Sequence, residues 1–279
     1  MRLLFSLRKD SIDWHFFNLL KGMGVSVDVF GFVGKGFSFP AYGGRYWRGV
    51  NLLSWEEVRE IIDAGIKFGV PVQDMYWTGW KERLKRTLDG LDKHLDLSRL
   101  FFIVALPEAV KFLKSLGLEA ELSCVSYVFF IRELMSYLKN LPEDTLVTLP
   151  PCWSFREKDF ERLQKSGISE RCIVFSSANC MATCRHPRCH HLFMGFIDFW
   201  DKDVADSFFG IYKGICIKNI LFQGERKKYL EVLNKPRFFG IKKFYKFGVK
   251  VFKFPENWGL FKEKIMQEVT EIVGVVYSG

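Results

Sequence analysis

The residues with the clearest capacity for chemistry lie in one short stretch, from Cys180 to His191. Three cysteines and three histidines fall within these twelve residues. Thiolates bind soft metals and iron–sulfur clusters, and imidazoles suit zinc and iron. Because the neighbours of Cys180, Cys184 and Cys189 are polar, we do not expect these thiols to be buried in the core. They are predicted to be metal ligands that share one loop.

The spacing of these cysteines helps to choose the metal. Three residues separate Cys180 from Cys184, and four separate Cys184 from Cys189. Zinc sites of the finger and ribbon type favour closer pairs, often with two residues between them. The radical-SAM signature has gaps of three and then two, and the second gap fails here. The spacing therefore disfavours a zinc site of that type and a radical-SAM enzyme. An iron–sulfur cluster on these soft ligands is the prediction, and zinc is the alternative.

A 4Fe–4S cluster with four protein ligands needs one more ligand than this loop's cysteines provide. Cys216 is the nearest downstream cysteine. His190 is the alternate ligand, because imidazole can replace a thiolate. Cys216 is favoured, since thiolate is the commoner cluster ligand. In contrast, Cys124 and Cys172 lie inside apolar runs and are predicted to be core thiols.

The start of the chain does not resemble a secretory signal. An apolar run, Met1–Leu7, precedes the charges of residues 8–10, which is the reverse of the signal-peptide order. No stretch of about 18 apolar residues is free of charge, so no membrane span is expected. We therefore expect a cytoplasmic protein, in which the seven cysteines stay reduced.

The elements that must position the cysteines alternate between apolar strands and amphipathic helices. The second helix begins at a capping box, Ser54 with Glu57. Eight strands are predicted, over Leu3–Leu7, Val25–Phe32, Val70–Tyr76, Leu100–Leu106, Ala120–Val125, Thr145–Leu149, Cys172–Ser176 and Val249–Phe254. This alternation is typical of a parallel α/β sheet.

Eight such strands predict a TIM-type (β/α)8 barrel, regular or irregular, with the cysteine-rich loop after strand seven. An open doubly wound sheet is the alternative fold. The barrel is assigned to residues 1–255, and residues 256–279 are predicted to form a C-terminal helix that packs on it. The loop after strand seven would then lie at the carboxyl end of the barrel, where active sites of this fold occur.

The net charge of +9 is concentrated in one segment. Residues 225–253 contain ten Lys or Arg and two acids, interleaved with aromatic residues. Such a segment can hold phosphates and stack bases, which makes RNA or an anionic small molecule a candidate partner. A partner subunit is a further candidate for binding to the protein. The alternative is a solvated basic face whose aromatic side chains belong to the core.

Short motifs in this order resemble the collagenase-like peptidase family U-32. Cys180, Cys184, Arg185 and His190 are similar in outline to its cysteine motif, although the proline that follows its second cysteine is missing here. Cys216 resembles a further family cysteine. The remaining similar elements are the turn Tyr42-Gly43-Gly44-Arg45 and the stretch from Phe244 to Phe254.

The resemblance implies a barrel with a 4Fe–4S cluster held by four cysteines. It also implies an activity in oxygen-independent hydroxylation of transfer RNA, ribosomal RNA or a quinone precursor, although the family is named for proteolysis. Arg45 is a candidate substrate-binding residue, because its guanidinium can bind carboxylate or phosphate. It could equally be a turn arginine paired with an acid.

Two further functions stay open. A peptidase is disfavoured by the lack of a His-Glu-x-x-His helix and of a Gly-x-Ser-x-Gly turn. A non-enzymatic, zinc-binding RNA-interaction protein would be distinguished by its metal content.

Overall fold

The computed structural model of the chain describes residues 1–8, 11–33, 52–72, 79–124, 131–151, 157–178, 237–255 and 257–277. The elements in chain order are β1 (Arg2–Ser6), α1 (Trp14–Gly22), β2 (Ser26–Phe30), α2 (Trp55–Asp63), β3 (Phe68–Val72), α3 (Trp80–Asp92), β4 (Leu100–Val104), α4 (Pro107–Ser115), β5 (Glu119–Ser123), α5 (Ile131–Asn140), β6 (Val147–Thr148), α6 (Glu157–Lys165), β7 (Cys172–Phe175), β8 (Ser177–Ala178), β9 (Arg237–Phe238), α7 (Lys242–Tyr245), β10 (Val251–Phe254) and α8 (Lys262–Tyr277).

Eight of these strands form a closed parallel barrel in the order β1-β10-β7-β6-β5-β4-β3-β2. Closure is made by β1, which pairs with β10 on one side and with β2 on the other. Leu4, for example, lies opposite both Lys253 and Asp28. The predicted (β/α)8 barrel is thereby confirmed, and the open doubly wound sheet is excluded.

All eight predicted strands occur in the predicted order, and the third differs most in its bounds. It was predicted over Val70–Tyr76 but runs over Phe68–Val72, and residues 73–76 lie outside the described part of the chain. The prediction missed the first two residues of this strand because Gly69 has no side chain and is uncommon inside strands. A Cβ at Gly69 would lie 2.3 Å from Cζ of Phe101, so the neighbouring ring fills that space.

Helix α2 begins as its sequence predicts. The backbone N–H of Glu57 donates to Oγ of Ser54 (3.2 Å), and the backbone N–H of Ser54 donates to the Glu57 carboxylate (2.7 Å). This reciprocal cap satisfies two backbone donors that the first turn of a helix otherwise leaves unpaired. The helix buries Val58, Ile61 and Ile62 against the barrel strands.

The C-terminal helix α8 packs on the same core as the strands. Its Ile265, Val269 and Ile272 are buried in that core cluster. Just before the helix, the Trp258 indole N–H donates to the carbonyl of Ser6 (2.9 Å). This bond ties the chain after β10 to the carboxyl end of β1. Across the described residues, no helix is both long and apolar enough to cross a membrane.

Candidate functional site

The candidate site is the carboxyl end of β7, where the sequence places the cysteine-rich segment. There β8 and β9 form a two-stranded antiparallel ribbon, with Ser177 opposite Phe238 and Ala178 opposite Arg237. Residues 179–236 therefore leave and rejoin the described chain at the same ribbon. Active sites of this fold are built at this end of the barrel.

Backbone hydrogen bonds attach this ribbon to the barrel. The N–H of Phe239 donates to the carbonyl of Ser176 (2.7 Å), and the N–H of Ser176 donates to the carbonyl of Lys253 (3.0 Å). These bonds link the end of β9 to β7 and β10. Ala178 and Arg237, the described residues on either side of segment 179–236, consequently lie beside these two strands.

The predicted ligands themselves lie outside the described residues. These are Cys180, Cys184, Cys189, Cys216 and the alternate His190. The predicted substrate residue Arg45 also lies outside them. Within the described ranges, no group of three or more His, Cys, Asp or Glu side chains could hold a metal ion. The ligand set therefore stays a prediction.

The two described cysteines are core residues, as predicted. Cys124 and Cys172 are fully buried in the hydrophobic core between strands and helices. Burial raises the pKa of the Cys172 thiol to about 12, so it stays protonated near neutral pH. Since the thiolate is the metal-binding form, Cys172 is a poor ligand.

A buried ionic network in the barrel interior was not predicted from the sequence. Nε of Arg2 donates to the carboxylate of Asp28, and Nη1 donates to Oε1 of Glu121 (2.9 Å). The Arg2 guanidinium also lies 4.9 Å from the ring centroid of Phe101. Burial opposes the charge on Arg2, but Glu121 and Asp28 outweigh it and raise the pKa of the guanidinium.

Glu121 is the most deeply buried member of this network. It is 2% exposed, and its Oε2 has no hydrogen-bond partner among the described residues. Burial raises the pKa of its carboxyl group, although the positive charges of Arg2 and Lys253 act in the opposite direction. The folded protein therefore holds a proton on Glu121 to a higher pH than the unfolded chain does.

We expect Glu121→Gln to change the pH dependence of stability. Above a carboxyl group's ordinary pKa of 4.5, the unfolded chain loses the Glu121 proton while the folded state still holds it. The contribution of Glu121 to stability is thus largest below that pH and falls as pH rises toward its raised pKa. Urea unfolding from pH 4 upward should show the wild type losing stability relative to Glu121→Gln. A pH-independent difference between the two would contradict the raised pKa.

A second polar group lies nearer the carboxyl end of the interior. Lys253 is 4% exposed, and its Nζ lies 4.3 Å from the ring centroid of Phe30 and 5.8 Å from that of Phe175. On β6, the fully buried Thr148 has an Oγ1 without a hydrogen-bond partner in the described structure. These residues were missed as site residues, and Lys253 was instead counted in the basic surface segment.

A sequence signal for these residues does exist. The strands carry polar residues at alternate positions between apolar ones, as in Asp28 between Val27 and Val29. Strand side chains alternate between faces, so the polar residues share one face of each strand. Combined with a barrel, this pattern indicates a polar interior.

The described part of the basic segment divides between surface and core. The rings of Phe244 and Phe247 are buried in the core, so they cannot stack bases. Two of the lysines form ion pairs, Lys242 with Glu271 at 2.8 Å and Lys243 with Glu157 at 3.9 Å. Further exposed cations, including Arg237, could still contact a polyanion.

The three-dimensional fold is similar to a known structure, that of the U32 peptidase Mk0906. The likeness has a TM-score of 0.51 and covers 92% of this chain and 93% of that chain, at 13% sequence identity. No protein-family model matches the chain, and no curated protein matches it. At this identity the likeness shows the fold alone. It agrees with the barrel fold that the resemblance implies.

Proposed function

We propose that this chain is an iron–sulfur barrel protein of the U-32 type. Cys180, Cys184, Cys189 and Cys216 would hold a 4Fe–4S cluster beside the carboxyl end of β7. The observation that carries this proposal is the ribbon at that end of the barrel, in which Ala178 and Arg237 pair on either side of segment 179–236. All four cysteines belong to that segment, and Cys180 follows the ribbon residue Ala178 by two positions.

The chemistry of the donor set supports a soft metal centre. Four thiolates are the common ligand set of 4Fe–4S clusters. Cys124 and Cys172 are buried in the core and do not compete for iron. A bound cluster would supply one-electron chemistry or a binding point for substrate oxygen.

The reaction that we propose is an oxygen-independent hydroxylation or related modification, with the chain acting as the enzyme or as one of its subunits. Its substrate would be an RNA or a small aromatic precursor. The family resemblance supports this reaction class. Arg45 and the exposed part of the basic segment are the groups that we propose for binding an anionic substrate.

A peptidase is the second candidate, and the fold likeness to a U32 peptidase favours it. The third is a zinc-binding protein that contacts RNA. Metal analysis separates the third candidate from the first. Cleavage of a labelled peptide library by the iron-free protein would favour the peptidase over the iron–sulfur enzyme.

The test of the proposal is anaerobic purification followed by iron and acid-labile sulfide analysis and an absorption spectrum. A 4Fe–4S cluster predicts about four iron and about four sulfide per chain and a brown protein. A colourless protein with stoichiometric zinc and no sulfide would overturn the cluster assignment. Metal content is read directly, so the outcome does not depend on finding the substrate.

The fourth ligand can be identified by a pair of substitutions. We expect Cys216→Ser to lose iron or to alter the absorption spectrum, because a serine oxygen replaces a soft thiolate. We expect His190→Ala to keep the iron content of the wild type. The reverse pattern would instead indicate a cluster held by three cysteines and His190.

A further inference from the structure

A carboxylate on the C-terminal helix α8 holds the chain just after the ribbon. Oε2 of Glu268 accepts hydrogen bonds from two consecutive backbone N–H groups, those of Ile241 and Lys242, the latter at 2.9 Å. These two residues precede Glu268 by 27 and 26 positions. Because hydrogen bonds to a carboxylate are about twice as strong as those between neutral groups, this contact is a firm link between α8 and the turn that follows β9.

The turn is shaped around this carboxylate. Gly240 has a φ of +93°, a conformation that residues with a side chain rarely adopt. A Cβ at Gly240 would lie 3.1 Å from Oε1 of Glu268. The glycine therefore permits both the bend of the chain and the close approach of the carboxylate. Two separate features of the turn, its backbone N–H groups and its glycine, are thus matched to Glu268.

The turn continues directly into the ribbon and the barrel. Just before it, the N–H of Phe239 donates to the carbonyl of Ser176, directly after β7 (2.7 Å). Phe238 of β9 lies opposite Ser177 of β8. The centroid of the Phe238 ring lies 5.5 Å from that of Phe261, in the short 3-10 helix before α8. The chain from β9 to the turn is therefore held by the C-terminal elements on one side and by β8 and the barrel on the other.

We propose that Glu268 is a positioning residue for the metal centre of the proposed function, on which this inference rests. By holding the turn after β9, its carboxylate keeps β9 paired with β8. Cys180, a proposed ligand, follows the β8 residue Ala178 by two positions. Consecutive Cα atoms are about 3.8 Å apart, so the chain cannot carry Cys180 more than about 8 Å from Ala178. Loss of the Glu268 carboxylate therefore loosens the ribbon and, through it, the position of a ligand.

Glu271, one turn further along α8, provides a matched comparison. Its carboxylate lies 2.8 Å from Nζ of Lys242, and both side chains are exposed. This contact is made to the side chain of Lys242, whereas Glu268 contacts its backbone. Since exposed ion pairs contribute little to stability, Glu271 does not hold the turn. The two acids therefore separate a contact to the backbone of the turn from a contact to one of its side chains.

The first measurement is hydrogen exchange of single backbone N–H groups in the full-length protein. The N–H of Phe239 reports on the ribbon, and that of Leu149, which donates to the carbonyl of Ile173 (2.9 Å), reports on the barrel. In Glu268→Ala we expect exchange at Phe239 to accelerate about tenfold or more, because each hydrogen bond to a charged group contributes about ten- to hundredfold. Exchange at Leu149 should stay unchanged, and Glu271→Ala should change neither. Equal acceleration at both positions in Glu268→Ala, or none, would overturn the proposal.

The second measurement is the release of iron to a chelator from the anaerobically purified protein, followed by the loss of cluster absorption. Release through local opening of the ribbon follows the population of the open state, so Glu268→Ala should release iron about tenfold faster than the wild type or Glu271→Ala. Faster exchange at Phe239 with an unchanged rate of iron release would show that Glu268 holds the ribbon but no ligand. That result would overturn the positioning role.

Glu268→Gln keeps both measurements informative if Glu268→Ala does not fold. The glutamine side-chain oxygen can accept the same two backbone hydrogen bonds but carries no charge, so we expect a smaller acceleration of both rates, about three- to tenfold. Absence of iron from the wild-type protein would overturn the proposed function together with this inference. Iron in the wild type, with exchange and iron release unaffected in both Glu268 variants, would overturn only the positioning role.

Discussion

Replacing Cys180 or Cys184 with alanine should remove most of the iron from the anaerobically purified protein. Each substitution deletes one of the proposed thiolate ligands, and a 4Fe–4S cluster with a missing ligand becomes exposed and labile. Iron and sulfide should fall together, and the absorption of the cluster should disappear. Inductively coupled plasma mass spectrometry with a sulfide assay measures both quantities.

Cys124→Ala is the matched control for these two variants. Cys124 is a fully buried core thiol outside the proposed ligand set. Its truncation should cost about 1 kcal/mol of stability through a small cavity but leave iron content unchanged. Full iron content in both Cys180→Ala and Cys184→Ala would contradict the ligand assignment. Loss of iron in all three variants would point to misfolding instead.

Replacing Arg2 with methionine should destabilise the protein by about 3–5 kcal/mol. Removing one partner of a buried ion pair leaves uncompensated charge, and that loss is much larger than the net value of the pair. Here the variant would leave Asp28 and Glu121 buried in the barrel interior without the guanidinium that contacts both. Urea unfolding at pH 7 measures the change.

The same substitution at an exposed ion pair provides the control. Arg162 is 67% exposed and lies 3.5 Å from Asp159. Because exposed ion pairs contribute little, Arg162→Met should cost less than about 1 kcal/mol. The double variant Arg2→Met/Glu121→Gln should recover part of the loss, since glutamine needs neither a counter-charge nor a proton in the interior. A similar cost for Arg2→Met and Arg162→Met would show that water reaches the interior network.

The two predictions concern opposite ends of the barrel. The ionic network around Arg2 lies at the amino end, which in this fold is associated with stability. The ribbon of β8 and β9, whose two strands flank the cysteine segment in the sequence, lies at the carboxyl end, which is associated with activity. We therefore expect Arg2→Met to affect stability far more than metal content, and the cysteine variants to do the opposite.

Lys253 illustrates where a surface interpretation of the sequence failed. In the sequence it is the last of ten basic residues in a 29-residue segment, and this density of charge predicts a cationic surface patch. In the fold it is on an interior face of β10, whereas Phe252 and Phe254 on either side belong to the outer core. Charge density counted over the whole segment hides this difference, although the predicted strand Val249–Phe254 carries it in the alternation of Lys253 with its apolar neighbours.

The amino-acid sequence by itself determined the eight barrel strands, the longer helices and their order, but not the ribbon of β8 and β9. Apolar runs that are buried on both faces, and a capping box at Ser54, are local patterns whose physical cause lies within a few residues. They were sufficient to predict the barrel class, the core roles of Cys124 and Cys172, and the strand that precedes the cysteine-rich segment.

Only the tertiary structure decided how the barrel closes and which side chains meet inside it. Arg2 contacts Asp28 and Glu121 across separations of 26 and 119 residues, and β1 pairs with β10 at the far end of the chain. These contacts depend on strand register, and a shift of one residue would move every interior side chain to the outer face. Register is set by the packing of all strands together, and so no local pattern in the sequence contains it.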